Sequence, residues 1–151
     1  MARMSIRDLY RLTGSIAFVL IMVVPAMAEE SVANSQKAAA AARTIINLAV
    51  ENKLNTLWDK YTSQWFKSKT NKELFFQNLS AGRAQIGTPQ SVKLSSIVYA
   101  TGTQDLQGDI YTIVFDTTYP IGKFYERVVV LKEQDGEFRL FGLWSNPGPK
   151  D

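Results

Sequence analysis

The chain has no cysteine and no histidine among its 151 residues. Without cysteine there is no disulfide, no thiolate nucleophile and no sulfur ligand for a metal. Without histidine the commonest general base and metal ligand is missing. Together these absences exclude Ser-His-Asp hydrolases, Cys-His peptidases and zinc hydrolases that depend on imidazole. Catalysis would have to rest on carboxylates, lysine, tyrosine or arginine. No catalytic motif is found, so no catalytic residue, cofactor or metal site is assigned. Asp109 and Asp116 fall on one predicted strand, but a full run of residues separates them.

A concentrated positive patch is missing too. Arg3, Arg7, Arg11 and Asp8 lie in the first 28 residues, so the formal +3 of the chain becomes +1 without them. Nucleic acid would require clustered Lys and Arg, and no nucleic-acid partner is expected. Lys67, Lys69 and Lys72 form the densest group, and they flank a predicted helix start as a solvated face.

Long hydrophobic runs are limited to one. Gly14–Val24 carries no charge, follows the three arginines and precedes Pro25-Ala26-Met27-Ala28. A positive start, a short apolar core and small residues at Ala26 and Ala28 read as a cleavable secretory signal. A spanning helix needs roughly 20 apolar residues, about twice this core. Cleavage is expected between Ala28 and Glu29, leaving no stable membrane span and a periplasmic or secreted protein. No cysteine stands near that bond, so a lipid anchor is excluded. The remaining chain suits a single α+β domain over residues 29–144, with a flexible tail at 145–151.

Three helices are predicted first. Ala38, Ala41, Ala42, Ile45, Leu48 and Ala49 recur at helical spacing within Ser35–Asn52. Leu54, Leu57, Trp58, Tyr61 and Trp65 form a stripe along a second helix over Leu54–Phe66. Thr70-Asn71-Lys72-Glu73 has the capping-box pattern, with Thr70 as the cap of a third helix. Gly87 and Pro89 end it, and Gly82 inside it is expected at a close contact.

From Gln90 the period becomes alternating, and four strands follow. Val92, Leu94, Ser96, Val98 and Ala100 share one face of the first, opposite Ile97 and Tyr99. Tyr111, Ile113, Phe115, Thr117 and Tyr119 share a face of the second. Glu126, Val128 and Val130 oppose Tyr125, Arg127, Val129 and Leu131 in the third. Asp135-Gly136 signals a tight hairpin. In the fourth, Phe138, Leu140, Gly142 and Trp144 share a face opposite Arg139, Phe141 and Leu143, and Gly142 is a candidate bulge. Helices followed by hairpin-linked strands indicate an α+β domain: three N-terminal helices packed on a four-stranded antiparallel sheet.

Trp58-Asp59, Phe75, Leu79, Arg83, Ile86, Gly87, Gly108-Asp109-Ile110-Tyr111, Glu126, Val128 and Asp135-Gly136-Glu137-Phe138-Arg139 through Gly142 make a pattern across nearly all the exported chain. It resembles a family of small secreted bacterial domains of unknown function. Such domains look related to the nuclear transport factor two-like, cystatin-like fold. That resemblance implies a curved sheet wrapped around the helices as a cone, with a pocket between them. It would place a short strand at Phe66–Thr70, and it implies no reaction.

Arg83 falls among apolar positions of the third helix and Glu126 among apolar positions of the third strand. They are expected to meet as a charge-assisted pair. Trp58, Asp59 and Tyr111 complete the candidate pocket residues, with Trp58 also explicable as core packing and Asp59 as a solvent-facing carboxylate. Tyr119 and Tyr125, like Tyr111, could hydrogen-bond a ligand, but as strand residues they need no such role. Three functions fit. The first is a non-catalytic exported binding or accessory domain, with a small apolar ligand in an aromatic-lined pocket or an envelope protein on the sheet. The second is a homodimer through the open sheet face, bearing Tyr125, Val129, Leu131, Phe141 and Leu143. The third is an isomerase or lyase using Asp59 or Glu126 as base.

Overall fold

The computed structural model describes residues 29–149. The predicted signal segment, including Ala28, lies outside the described residues. The chain divides into two compact units, Met1–Asn34 and Ser35–Asp151. In the first, residues 29–34 are helical. The rest of this description concerns the second.

Helix α1 covers residues 35–50 of this unit. Of its predicted stripe, Ala38, Ala42, Ile45 and Ala49 are buried in the core and Ala41 and Leu48 pack against it half-buried, while Ile46, outside the predicted stripe, is buried as well. Residues 51–53 turn the chain, and Asn52 takes a positive φ of 54°. Helix α2 spans Leu54–Tyr61 and buries Leu57 and Trp58.

The predicted second helix is in fact two. It stops at Thr62, and α3 begins at Gln64 and runs to Lys69. The reason is local competition for backbone groups by two hydroxyls. Thr62 Oγ1 donates to the Leu57 carbonyl at 2.9 Å, and Ser63 Oγ accepts from Phe66 N–H at 3.2 Å as the α3 cap. Ser63 N–H donates to the Leu140 carbonyl at 3.0 Å, and Thr62 bridges Leu140 in parallel. The break therefore ties the helices to the edge of the sheet. Phe66–Thr70 holds no strand, because residues through Lys69 are helical.

Helix α4 spans Lys72–Ile86 and is capped by Asn71, whose side chain accepts from Leu74 N–H. The cap is one residue later than the Thr70 capping box predicts. Asn71 is as good a cap chemically and sits directly before the helical dihedrals. Gly87 ends the helix with a positive φ of 80° and donates to the Arg83 carbonyl. Helices α1, α2 and α4 all pack on one cluster, α4 through Phe75, Phe76 and Leu79.

Strands β1 (Ser91–Gly102), β2 (Gln107–Tyr119), β3 (Gly122–Lys132) and β4 (Phe138–Pro147) form an antiparallel sheet in that order. The architecture is α+β, with an open sheet and four helices among the described residues. The alternation predicted for β2 and β3 holds. Tyr111, Ile113, Phe115, Val128 and Val130 are buried against the helices.

Two strands change face part-way. A register shift lies between Leu94 and Ser96 in β1. Beyond it, Ile97 and Tyr99 pair with Ile113 and Tyr111 on the core side, whereas Ser96 and Val98 pair with Val114 and Thr112. In β4, Val129 pairs with Gly142 but Val130 with Leu140. One extra residue in the strand moves every later side chain to the other face. Leu143 pairs with Val128 and Ser145 with Glu126 on the core side, while Trp144 is half-exposed opposite Arg127. The bulge predicted at Gly142 is present. The predicted tail is shorter than expected, since Ser145, Asn146 and Pro147 pair with β3.

Thr117 is 1% exposed, and its hydroxyl has no partner among the described residues. A buried hydroxyl without a partner costs about 1–3 kcal/mol. Thr117→Val, which keeps the shape and removes the polar atom, is expected to unfold in urea at or above the wild-type midpoint.

Candidate functional site

Arg83 is the only buried residue of α4. The helix places it over the end of the sheet where β2, β3 and β4 bring Tyr119, Glu126 and Ser145 together. Its Nη1 donates to Glu126 Oε1 at 2.9 Å and its Nη2 to Oε2 at 3.1 Å. Nη1 also donates to the Tyr119 hydroxyl at 2.6 Å. Tyr119 in turn donates to Oε1 at 2.5 Å, and Ser145 Oγ donates to Oε2 at 2.6 Å. Glu126 is 0% and Arg83 8% exposed. A buried carboxylate is tolerated because a fork of donors and an opposite charge replace its water.

The four bonds occupy the four acceptor positions of a carboxylate. Glu126 thus anchors Arg83 and has no free lone pair with which to take a substrate proton. Burial, and then the hydrogen bond it donates to Glu126, hold the Tyr119 phenol well above its usual range. Because the folded-state value is raised, this phenol supports folding below about pH 10, where unfolded tyrosine is also protonated. The contribution is lost as pH climbs above that value. Alkaline titration followed by absorbance should show the Tyr119 phenolate forming only with unfolding, and Tyr119→Phe should remove that step.

Beside the network lies a half-open cleft of about 600 Å³ between α4 and the β3–β4 side of the sheet. Leu74, Phe75, Leu79, Ile86, Phe124 and Leu143 wall it, Arg83 and Ser145 reach it, and Lys69 and Asn71 stand near the start of α4. The contact predicted at Gly82 is absent: a Cβ there meets nothing within 4 Å, because the residue faces the cleft. Gly82→Ala is expected to stabilise α4 by about 1 kcal/mol, read as a higher urea midpoint.

A protein-family model described as a protein of unknown function, DUF4019, matches residues 41–143. The chain belongs to the DUF4019 family. No curated protein and no solved structure matches it. The matched stretch of this DUF4019 chain contains Arg83, Tyr119 and Glu126 and ends two residues before Ser145.

Of the five predicted pocket residues, the fold joins two, Arg83 and Glu126. Trp58 packs its ring on Phe66, Phe75 and Phe76, with centroids 6.4, 5.9 and 6.2 Å away. Tyr111 is a core residue in ring contact with Tyr99 and Phe138. Neither lines the cleft, since their rings are taken up in these core contacts. Asp59 is exposed on α2, away from it. Sequence reading missed Ser145 as a site residue, and it offered Tyr119 only as one of three strand tyrosines that could hydrogen-bond a ligand. The buried face of β2 pointed to Tyr119. Ser145 was hidden by the bulge that turns it inward.

Among the described residues no group of three Asp, Glu, His or Cys could hold a metal ion. Nor is any described helix long and apolar enough to cross a membrane.

Proposed function

We propose that this protein is an exported, non-catalytic binding domain that takes a small apolar ligand in the cleft along α4. The cleft itself carries the reading. Its volume of about 600 Å³ and its apolar walls around a few convergent polar groups are those of a ligand site. The filled carboxylate of Glu126 favours holding over proton transfer. The leader pattern of residues 1–28 supports a periplasmic or secreted location, with cleavage after Ala28. In this reading the sheet bends at its bulges into the cone of a nuclear transport factor two-like domain, and the cleft is its mouth.

Native mass spectrometry of the protein purified from its own host tests this. The expected species starts at Glu29 and carries a small molecule that denaturation releases. A bare protein that also gains no thermal stability from fatty acids, alcohols or sterols would contradict the reading.

A second reading, a homodimer through the far face of the sheet, draws on Val98, Tyr125 and Trp144, which are 59%, 41% and 51% exposed. Val129 and Leu131, expected on that surface, are buried under Leu106 and Phe141, and Leu143 has turned to the core side. Light scattering at twice the chain mass would favour the dimer. A monomer at all concentrations would remove it.

A further inference from the structure

An arginine presents two edges on which a carboxylate can dock with two parallel hydrogen bonds. One is the pair of terminal nitrogens, and the other is Nε with the near hydrogen of Nη2. In Arg83 the first edge is filled by Glu126, and the outer hydrogen of Nη1 goes to Tyr119. The second edge has no acceptor among the described residues. Nε is also not among the fully buried atoms left unpartnered, a class that among the described residues holds only the Thr117 hydroxyl. Nε therefore keeps some exposure although Arg83 is 8% exposed overall, and the opening beside Arg83 is the cleft.

The charge around that opening is one-sided. Lys69 and Arg83 are the ionisable side chains of the lining, which contains no Asp or Glu. Glu126 lies beneath and is shielded from the cleft by complete burial. The apolar walls follow α4 from Leu74 to Ile86, a run of about 18 Å at the helical rise. The volume would hold about twenty water-sized groups.

We propose that the ligand is a single-chain amphiphile with a carboxylate head, docked on the Nε–Nη2 edge of Arg83 with its chain along α4. This rests on the reading of the cleft as a ligand site. Glu126, Tyr119 and Ser145 are positioning residues that hold the guanidinium in the orientation that leaves this edge outward. Arg83 itself is the binding residue.

The test compares dodecanoate with dodecanol, matched in chain and differing in head, by displacement of a fluorescent fatty-acid probe from the mature protein. Dodecanoate is expected to bind at least about tenfold more tightly, the scale of a charge-assisted fork. Arg83→Lys keeps the charge opposite Glu126 but removes the second edge. It should abolish the preference, read as the ratio of the dodecanoate and dodecanol affinities in the same variant, with the fold checked by circular dichroism. Equal binding of the two by the wild type overturns the carboxylate assignment and leaves the cleft as a ligand site. A preference that survives in Arg83→Lys overturns the role of Arg83. Binding of neither compound fails the cleft reading, and this inference with it. Should the lysine variant not fold, the wild-type ratio alone decides the head group.

Discussion

Arg83→Met is expected to lower the unfolding free energy by about 3–5 kcal/mol, because it leaves Glu126 charged, buried and unpaired. Against a typical total of about 5–15 kcal/mol for a domain, that is a large fraction. The fall in melting temperature should be on the order of 15 °C for a chain of this size. Glu126→Leu should do comparable harm by stranding the guanidinium and the buried Tyr119 hydroxyl. The double variant Arg83→Met, Glu126→Leu should recover more than half of the loss, since no uncompensated charge then remains in the interior. The buried Tyr119 hydroxyl, left without its acceptor, accounts for the remainder. Urea unfolding of the four proteins gives the coupling directly. Single variants within about 0.5 kcal/mol of wild type would show that the pair is hydrated and not buried.

Trp58→Ala should produce a loss of similar size by a different route. The indole is 9% exposed and meets three phenylalanine rings, from α3 and α4. Removing it leaves a cavity and cuts the contacts that join α2 to α3 and α4. Large aromatic truncations in cores cost about 3–5 kcal/mol. Asp59→Asn, at the next position, should change stability by less than about 0.5 kcal/mol, as an exposed substitution. A Trp58→Ala protein as stable as wild type would mean that the ring is not packed as described and would reopen its role as a pocket wall.

How far the sequence discloses this molecule depends on whether a feature follows a period. The α1 stripe, the β2 face and the β3 face follow theirs without interruption, and each lies as its pattern predicts. The hairpin at Asp135-Gly136 is legible because a positive φ, 82° at Gly136, calls for glycine there. What period-counting cannot see is an added residue. The irregularities near Ser95 and Phe141 reverse the sides of Ile97, Leu143, Trp144 and Ser145. Composition does not mark Ser95 at all, and at Gly142 it marks a bulge without fixing its consequence. Similarly, the stripe from Leu54 to Trp65 continues through Thr62 and Ser63 as if unbroken. The break becomes apparent only when the edge of β4 is present to take the Ser63 amide.

The site divides the same way. Arg83 and Glu126 were visible as charges out of place on apolar faces, which is a local signal. Tyr119 and Ser145 carry no such anomaly. A tyrosine suits a buried strand face, and a serine beside asparagine and proline suits a tail. Their roles come from β2 and β4 converging on the same carboxylate. The cleft is likewise a tertiary feature, since Leu74 and Phe124 lie far apart in sequence and line one opening only in the folded chain.

The open edge of Arg83 can be observed directly through its Nε–H resonance in nitrogen-labelled protein, assigned by its absence in Arg83→Lys. Saturation with dodecanoate should shift that signal strongly while the exposed Arg127 on the far side of the sheet stays in place. An Arg83 resonance that does not move when the protein is saturated, or moves no more than that of Arg127, would contradict a carboxylate held by this buried arginine.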